Sequence, residues 1–294
     1  MSINLPNWYV RQYATNIQLL LQQTDSRLNG AVRTGSHVGK SASPVDQVGA
    51  VSMQPVVGRF QPMGRVDAVL DRRWVFPFAF DLPQLIDSFD QLQILTDPKS
   101  SYVQNAVAAA RRQMDDLIID AFFADAKTGE EGATTTSFPA GNIVAVDFSA
   151  TGEVGLTVAK LREAKRILMA NEVDLKTDQI YCAVTARQHD NLLAETQVIS
   201  TDFNEKPVLV EGMVTRFLGI NLIHTERLDL VSSDNRQIPV WAKSGMYLGT
   251  WQDINTSISQ RNDIQSEPWQ AYLKMMMGAT RLEEKKVVQI LCDE

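Results

Sequence analysis

Residues 97–127 read DPKSSYVQNAVAAARRQMDDLIIDAFFADAK, and this stretch decides the fold. Asp97 can cap a helix and Pro98 fits its first turn. Val103, Ala106, Val107, Ala110, Met114, Leu117, Ile118, Ala121 and Phe122 then recur at three- and four-residue steps, one apolar stripe that runs until Gly129 ends the helix. At about 1.5 Å per residue, a helix from Pro98 to Lys127 would span roughly 45 Å, long for a globular protein. Arg111, Arg112, Asp115 and Asp116 sit mid-helix off the stripe. They suit either a solvated face or contacts across a subunit boundary.

Just upstream lies a ribbon that cannot complete itself. Gly49–Phe60 and Arg65–Phe80 read as two strands around a tip at Gln61-Pro62-Met63-Gly64, where Pro and Gly are natural turn residues. In the second strand Arg72, Trp74, Phe76, Phe78 and Phe80 fall on one face, and Arg73, Val75, Pro77 and Ala79 on the other. Both faces mix apolar and basic groups. An isolated two-stranded ribbon is marginal in water, so this one requires a partner surface. Arg59, Arg65, Arg72 and Arg73, set against Asp67 and Asp71, could pair with acidic groups there. An ordinary hairpin inside a sheet is the alternative, and Pro77 disfavours a central position for it.

Toward the N-terminus, Tyr9, Tyr13, Ile17, Leu20, Leu21 and Leu28 predict a helix from about Pro6 to Leu28, with Gly30 as its stop. Its other face is rich in Gln and Asn, which suits packing on a protein surface, either its own domain or a neighbour. Thr34–Asp46 is a polar connector. It contains Gly35-Ser36-His37-Val38-Gly39-Lys40-Ser41, which departs from a phosphate-binding loop because only three residues separate the glycines and a helix, not a strand, precedes it.

Downstream of the long helix the texture alternates. Thr157 caps a helix through Met169, Gln179–Val184 is a buried strand, and Thr185 caps a short helix through Ala194. Arg216–Thr225 and Val240–Trp251 read as strands, Gln252–Gln265 as a polar connector, and Trp269–Leu282 and Lys286–Leu291 as strands returning to an earlier sheet. Two regions follow, one of them discontinuous.

Composition narrows the function classes. The chain has 294 residues, 44% of them hydrophobic, with net charge -7 and a pI near 5.1. That is globular content, without the Lys/Arg footprint needed to grip nucleic acid through its phosphates. Cys182 and Cys292 have no disulfide or metal spacing and fit a reducing compartment. No signal-like start and no apolar run of about 18 residues occurs, so the product is expected in the cytoplasm when made, with no membrane partner. His37, His189 and His224 form no ligand pattern, and no nucleophile or paired-carboxylate motif is present. No catalysis, metal or cofactor is expected. His189-Asp190 is the best acid/base candidate, though adjacent helix residues diverge by about 100°.

The order of these elements carries a resemblance. Gln22-Gln23-Thr24-Asp25-Ser26-Arg27-Leu28, Asp81-Leu82-Pro83-Gln84-Leu85-Ile86-Asp87, Ser101-Tyr102-Val103 with Arg111–Asp116, Phe217-Leu218-Gly219-Ile220-Asn221 and Ala242-Lys243-Ser244-Gly245-Met246-Tyr247-Leu248-Gly249 occur in a sequence that resembles the major capsid proteins of tailed bacteriophages with the Hong Kong 97 fold. Within that group it looks most like the short family with a glutamine-rich N-terminal helix. The resemblance implies an α+β fold: an N-terminal arm and connector (1–47), an extended β-hairpin loop (48–80), a peripheral domain with a long spine helix (81–154 and 264–294) and an axial α/β domain (155–263). It implies self-assembly as hexamers and pentamers into an icosahedral shell around double-stranded phage DNA, held without sequence specificity. The expected location is the virion after synthesis in the bacterial cytoplasm. Separate scaffolding, decoration and portal proteins are candidate further partners.

On this reading Tyr9, Tyr13, Arg59, Arg65, Arg72, Arg73, Trp74, Asp115 and Asp116 are the expected subunit-interface residues, with loop arginines pairing to Asp115 or Asp116 next door. No lysine lies between Lys40 and Lys99, so the isopeptide crosslink that some members make from an extended-loop lysine is not expected. The chain enters its arm helix almost at once, so scaffolding is expected on a separate protein. An encapsulin-type nanocompartment would share the fold and differ in cargo. A soluble α/β enzyme using Thr185–Ala194 would need a pocket and dependence on His189.

Overall fold

A computed structural model describes residues 21–39, 42–56, 58–59, 64–86, 99–195, 198, 213–231, 234–265 and 267–294, with backbone alone at 86 and 99–102. In chain order the elements are β1 (Arg33–Ser36), β2 (Ser43–Val48), β3 (Leu70–Val75), β4 (Phe78–Ile86), α1 (Lys99–Phe123), β5 (Ala126–Thr128), β6 (Thr134–Thr136) and β7 (Ile143–Val144), followed by α2 (Val158–Ala170), β8 (Ile180–Val184), α3 (Ala186–Ala194), β9 (Arg216–Phe217), β10 (Ile220–His224), β11 (Asn235–Ala242), β12 (Met246–Gln260), β13 (Trp269–Arg281) and β14 (Val287–Asp293).

Three sheets organise them. The first has order β1-β12-β13-β4, the second β7-β14-β11-β8-β10-β9, and the third β2-β3-β5-β6. In the first, Leu273 lies opposite Leu82 and Met275 opposite Phe80. Opposed residues share a face, and this face joins Ala106, Ala110, Met114, Ile118 and Phe122 of α1 in one core. The core continues into the second sheet through Trp241, whose ring centroid is 4.6 Å from that of Phe122 and whose Nε1 donates to Ala31 O at 2.8 Å. There β8 and β10 run parallel, Ile180 against Ile220, while Leu161, Ala164 and Leu168 of α2 are buried in the same core.

The helix caps follow sequence chemistry. Thr157 accepts a hydrogen bond from Lys160 N at the start of α2, and Thr185 accepts one from Gln188 N at the start of α3. In each case the side chain satisfies an amide that the helix leaves without a partner.

Elsewhere the chain departs from the expected elements. The long helix ends at Phe123 rather than Lys127, and its 25 residues span about 37 Å. Ala126 opens β5, and Gly129, at φ +87, makes the β5–β6 turn instead of a helix stop. Asp97 and Pro98 lie outside the described residues. The strand drawn from Arg65 to Phe80 breaks before Pro77: β3 joins the third sheet and β4 the first. Pro83 within β4 is tolerated because β4 is an edge.

The ribbon's ladder is also displaced toward its base, with Ser43 opposite Val75 and Val48 opposite Leu70. One further bond, Gly49 N to Val69 O at 2.7 Å, closes it. The described residues of 50–69 form no strand. Thr34–Asp46, expected as a connector, supplies β1 and much of β2. Gln252–Gln260 is strand, polar because its far half is exposed on both faces. Residues 21–28 are not helical, so the predicted N-terminal helix does not reach Leu28, while Pro6 to Leu20 lie outside the described residues.

Sheet membership cuts across the expected boundary near 264. β12 lies with β13 and β4, whereas β14 lies beside β11 in the sheet that also holds β8 and β10.

Candidate assembly surface

Among the described residues, the apolar side chains of the extended loop lie uncovered. Met53 is 100% and Val56 93% exposed, and Val48, Val51, Val66, Val69 and Leu70 are exposed as well. Full burial of an aliphatic side chain contributes about 1.5–3 kcal/mol. These seven would therefore supply on the order of 10 kcal/mol to a surface that covered them. In the sequence the arginines stand out, and these residues show only as Val and Met spaced among Gly, Pro and Ser.

Below the loop, the base is fixed. Val75 is fully buried in a small cluster with Tyr247 and Leu282, and Gln47 Nε2 donates to Leu282 O at 2.9 Å. Trp74 Nε1 donates to Gly129 O at 2.7 Å. Phe76 O passes so close to Gly278 that any side chain at 278 would collide with it. Arg73 donates from Nη2 to Glu284 Oε2 at 2.7 Å. Arg281, also buried, donates to the carbonyls of Phe122 and Ala124 at 2.7 and 3.0 Å. Arg73 Nε and Nη1 and Arg281 Nε have no hydrogen-bond partner. Two guanidiniums thus crowd around one carboxylate.

Of the expected interface residues, Arg59, Arg65 and Arg72 are exposed, and Arg65 and Arg72 make local ion pairs with Asp67 (2.9 Å) and Asp46 (2.7 Å). Trp74 is half-buried, and Tyr9 and Tyr13 lie outside the described residues. Two of the expected residues are turned inward within this subunit. Arg73 is only 5% exposed and is held by Glu284, because β3 turns this side chain inward against the third sheet's base. Asp115 is fully buried: it accepts from Gln23 Nε2 at 2.5 Å, Ser26 Oγ at 2.5 Å, Arg27 N at 3.0 Å and Leu28 N at 3.2 Å. It is therefore closed to a loop arginine from outside. Asp116 is held within the chain by both Nε and Nη2 of Arg227.

The candidates for chemistry resolve into structural contacts. His189 Nε2 accepts from Val214 N at 2.9 Å, and burial, aided by His224, lowers its pKa. His37 Nε2 faces Tyr247 Oη at 2.9 Å and its ring lies 4.8 Å from that of Trp251. Gly35 of the phosphate-loop lookalike pairs with Gly249 in β1. No group of His, Cys, Asp and Glu among the described residues could hold a metal ion. A groove of about 720 Å³ on α2 contains Lys165 and Arg166, but Lys165 donates to Leu218 O at 2.7 Å and Arg166 pairs with Glu163. No described helix is long and apolar enough to cross a membrane.

The sequence profile described as phage capsid protein matches residues 5–294. The chain belongs to the phage capsid protein family. No curated protein sequence matches it. Among solved structures, this capsid protein is similar to the capsid of cyanophage P-SCSP1u (TM-score 0.74, 17% identity, 96% of this chain and 92% of that one). It is also similar to the capsid of cyanophage Pam1 (0.71, 11%, 100% and 99%) and to that of Ralstonia phage GP4 (0.70, 10%, 100% and 97%). At such identities the likeness is one of fold, the Hong Kong 97-type α+β arrangement. Family and neighbours alike are structural capsid proteins, not enzymes, and neither an enzyme centred on Thr185–Ala194 nor a nanocompartment is favoured.

Proposed function

We propose that this protein is the major capsid subunit whose copies assemble as hexamers and pentamers into the icosahedral shell of a tailed phage, enclosing double-stranded DNA. The carrying observation is the extended loop. Its base is locked into the subunit by Val75, Trp74 and Arg73, while no described side chain of residues 50–69 is buried. A projecting apolar segment with a fixed origin suits burial on a sibling, repeated around a closed shell. Synthesis in the bacterial cytoplasm, nonspecific retention of DNA and separate scaffolding, decoration and portal proteins belong to this reading. So does the division of labour between a peripheral region built on α1 and the first sheet and an axial region built on the second.

Size-exclusion chromatography and negative-stain imaging of the expressed chain test it. Closed particles or five- and six-membered rings are expected, and a stable small oligomer would contradict it. Virions that contain this chain are expected to hold double-stranded DNA, so particles filled with a protein cargo and lacking DNA would count against the phage assignment.

A further inference from the structure

The segment ahead of β1 is held by a different device from that of the extended loop. Residues 22–28 lie along α1 without helical structure, in contact with one buried carboxylate. Asp115 receives four donors from this segment, two from side chains and two from successive backbone amides. Such a carboxylate is matched to its donors in number, and losing it would orphan buried N–H groups. Polar contacts on either side extend the clamp. Arg112 Nη1 donates to Gln22 Oε1 at 2.8 Å and to Gln23 O at 2.9 Å, Gln22 Nε2 donates to Asn105 Oδ1 at 3.1 Å, and Arg111 pairs with Asp25. At the far end Leu28 is fully buried in the main core. Leu21, at the other end of the described segment, is fully exposed.

We propose that Asp115 is the positioning residue that fixes the path of residues 22–28 along α1, and that assembly requires this fixed path. The inference rests on the shell reading above, but the clamp is measurable without a shell. Arg27 is exposed and its own amide is one of the donors to Asp115, so tryptic cleavage of the Arg27–Leu28 bond reports the grip directly.

In Asp115→Asn one carboxylate oxygen becomes an NH2 that cannot accept. Cleavage after Arg27 should then accelerate at least tenfold while circular dichroism and cleavage in the rest of the chain stay unchanged, and particle yield should fall correspondingly. The double variant Gln23→Ala/Ser26→Ala keeps the buried carboxylate and both backbone bonds, and is expected to give the same two changes more weakly, cleavage rising a few-fold. It serves as the deciding variant if Asp115→Asn fails to fold. Unchanged cleavage in the folded variants would overturn the clamp. Faster cleavage with normal particles would overturn its role in assembly. If the wild-type chain builds no shells while cleavage still responds, the shell reading fails and the clamp stands.

Discussion

Arg73 in β3 and Glu284, in the turn before β14, meet at 2.7 Å with side-chain exposures of 6% and 19%, joining the root of the extended loop to the chain's closing turn. The pair is asymmetric in its surroundings. Arg281 approaches Glu284 as well, its Nε 3.8 Å from Oε1, but Arg281 has carbonyl partners and Arg73 has none besides this carboxylate. Removing Glu284 therefore leaves Arg73 buried without compensation. Glu284→Ala should cost about 3–5 kcal/mol, the usual range for stranding one member of a buried pair. Arg73→Met with Glu284→Ala should cost less than Glu284→Ala alone, a coupling that a denaturant-based double-mutant cycle measures. Additive effects would show that the pair does not anchor the loop.

Arg72, one residue away, behaves oppositely. Its pair with Asp46 is exposed on both sides, and such pairs contribute about 0–1 kcal/mol. Arg72→Glu should leave subunit stability within that range while lowering particle yield, read by denaturation and electron microscopy. Normal particles from a stable Arg72→Glu subunit would remove this residue from the interface. Arg73→Glu is a poor probe of assembly, because it places a second carboxylate against Glu284 and strikes the fold itself.

Two buried thiols make the fold sensitive to alkali. Burial pushes the Cys292 thiol up to about 12 and raises that of Cys182 further in the same direction. An unfolded chain ionises its thiols near pH 8.5, so between there and pH 12 the unfolded state releases protons that the folded state keeps. The stability these groups contribute is complete below the unfolded value and is lost as pH rises toward the folded one. Lys160 acts against this trend. Burial lowers its pKa, and its Nζ donates only to Val154 O at 2.6 Å and Leu291 O at 2.9 Å, so its penalty shrinks as pH rises through the window below the ordinary lysine value. The melting temperature should fall between pH 8.5 and 10.5, and less steeply in Cys182→Ala/Cys292→Ala. Neither thiol should react with a disulfide reagent until the chain unfolds.

Thr185 offers a smaller test. Its Oγ1 accepts from Gln188 N at 3.3 Å and donates to Glu294 Oε1 at 3.0 Å, so it serves both as helix cap and as tie to β14. Thr185→Ala should cost about 1–2 kcal/mol, and Thr157→Ala, which loses a cap alone, about 1 kcal/mol. Equal losses at the two sites would show that the Glu294 contact contributes nothing.

Local chemistry was legible in the sequence wherever it was complete within a few residues. Thr157 and Thr185 announced their helices because capping needs only the next three amides, and the apolar stripe of α1 announced one buried face. Competition between sheets was not legible: Phe76-Pro77 looked continuous with its flanks, yet the chain changes sheet there because β13 offers a second edge. Gln252–Gln260 looked like a loop because a strand exposed on both faces has no alternation. For the assembly surface, arginines were expected to face outward, and nothing near Arg73 in sequence points to Glu284, which lies in the turn before β14. Asp115 was hidden likewise, since its donors lie in a segment whose spacing suggested helix. The exposed valines of the loop, by contrast, are readable in the sequence itself.

A loop that completes itself on another copy changes its protection on assembly. Amide hydrogen exchange of residues 50–56 and 64–69, followed in dispersed subunits and in assembled particles, tests it most directly. Both segments should exchange rapidly in subunits and slow strongly in particles, with β3 protected in both. Equally fast exchange in particles, or protection already present in the lone subunit, would contradict it.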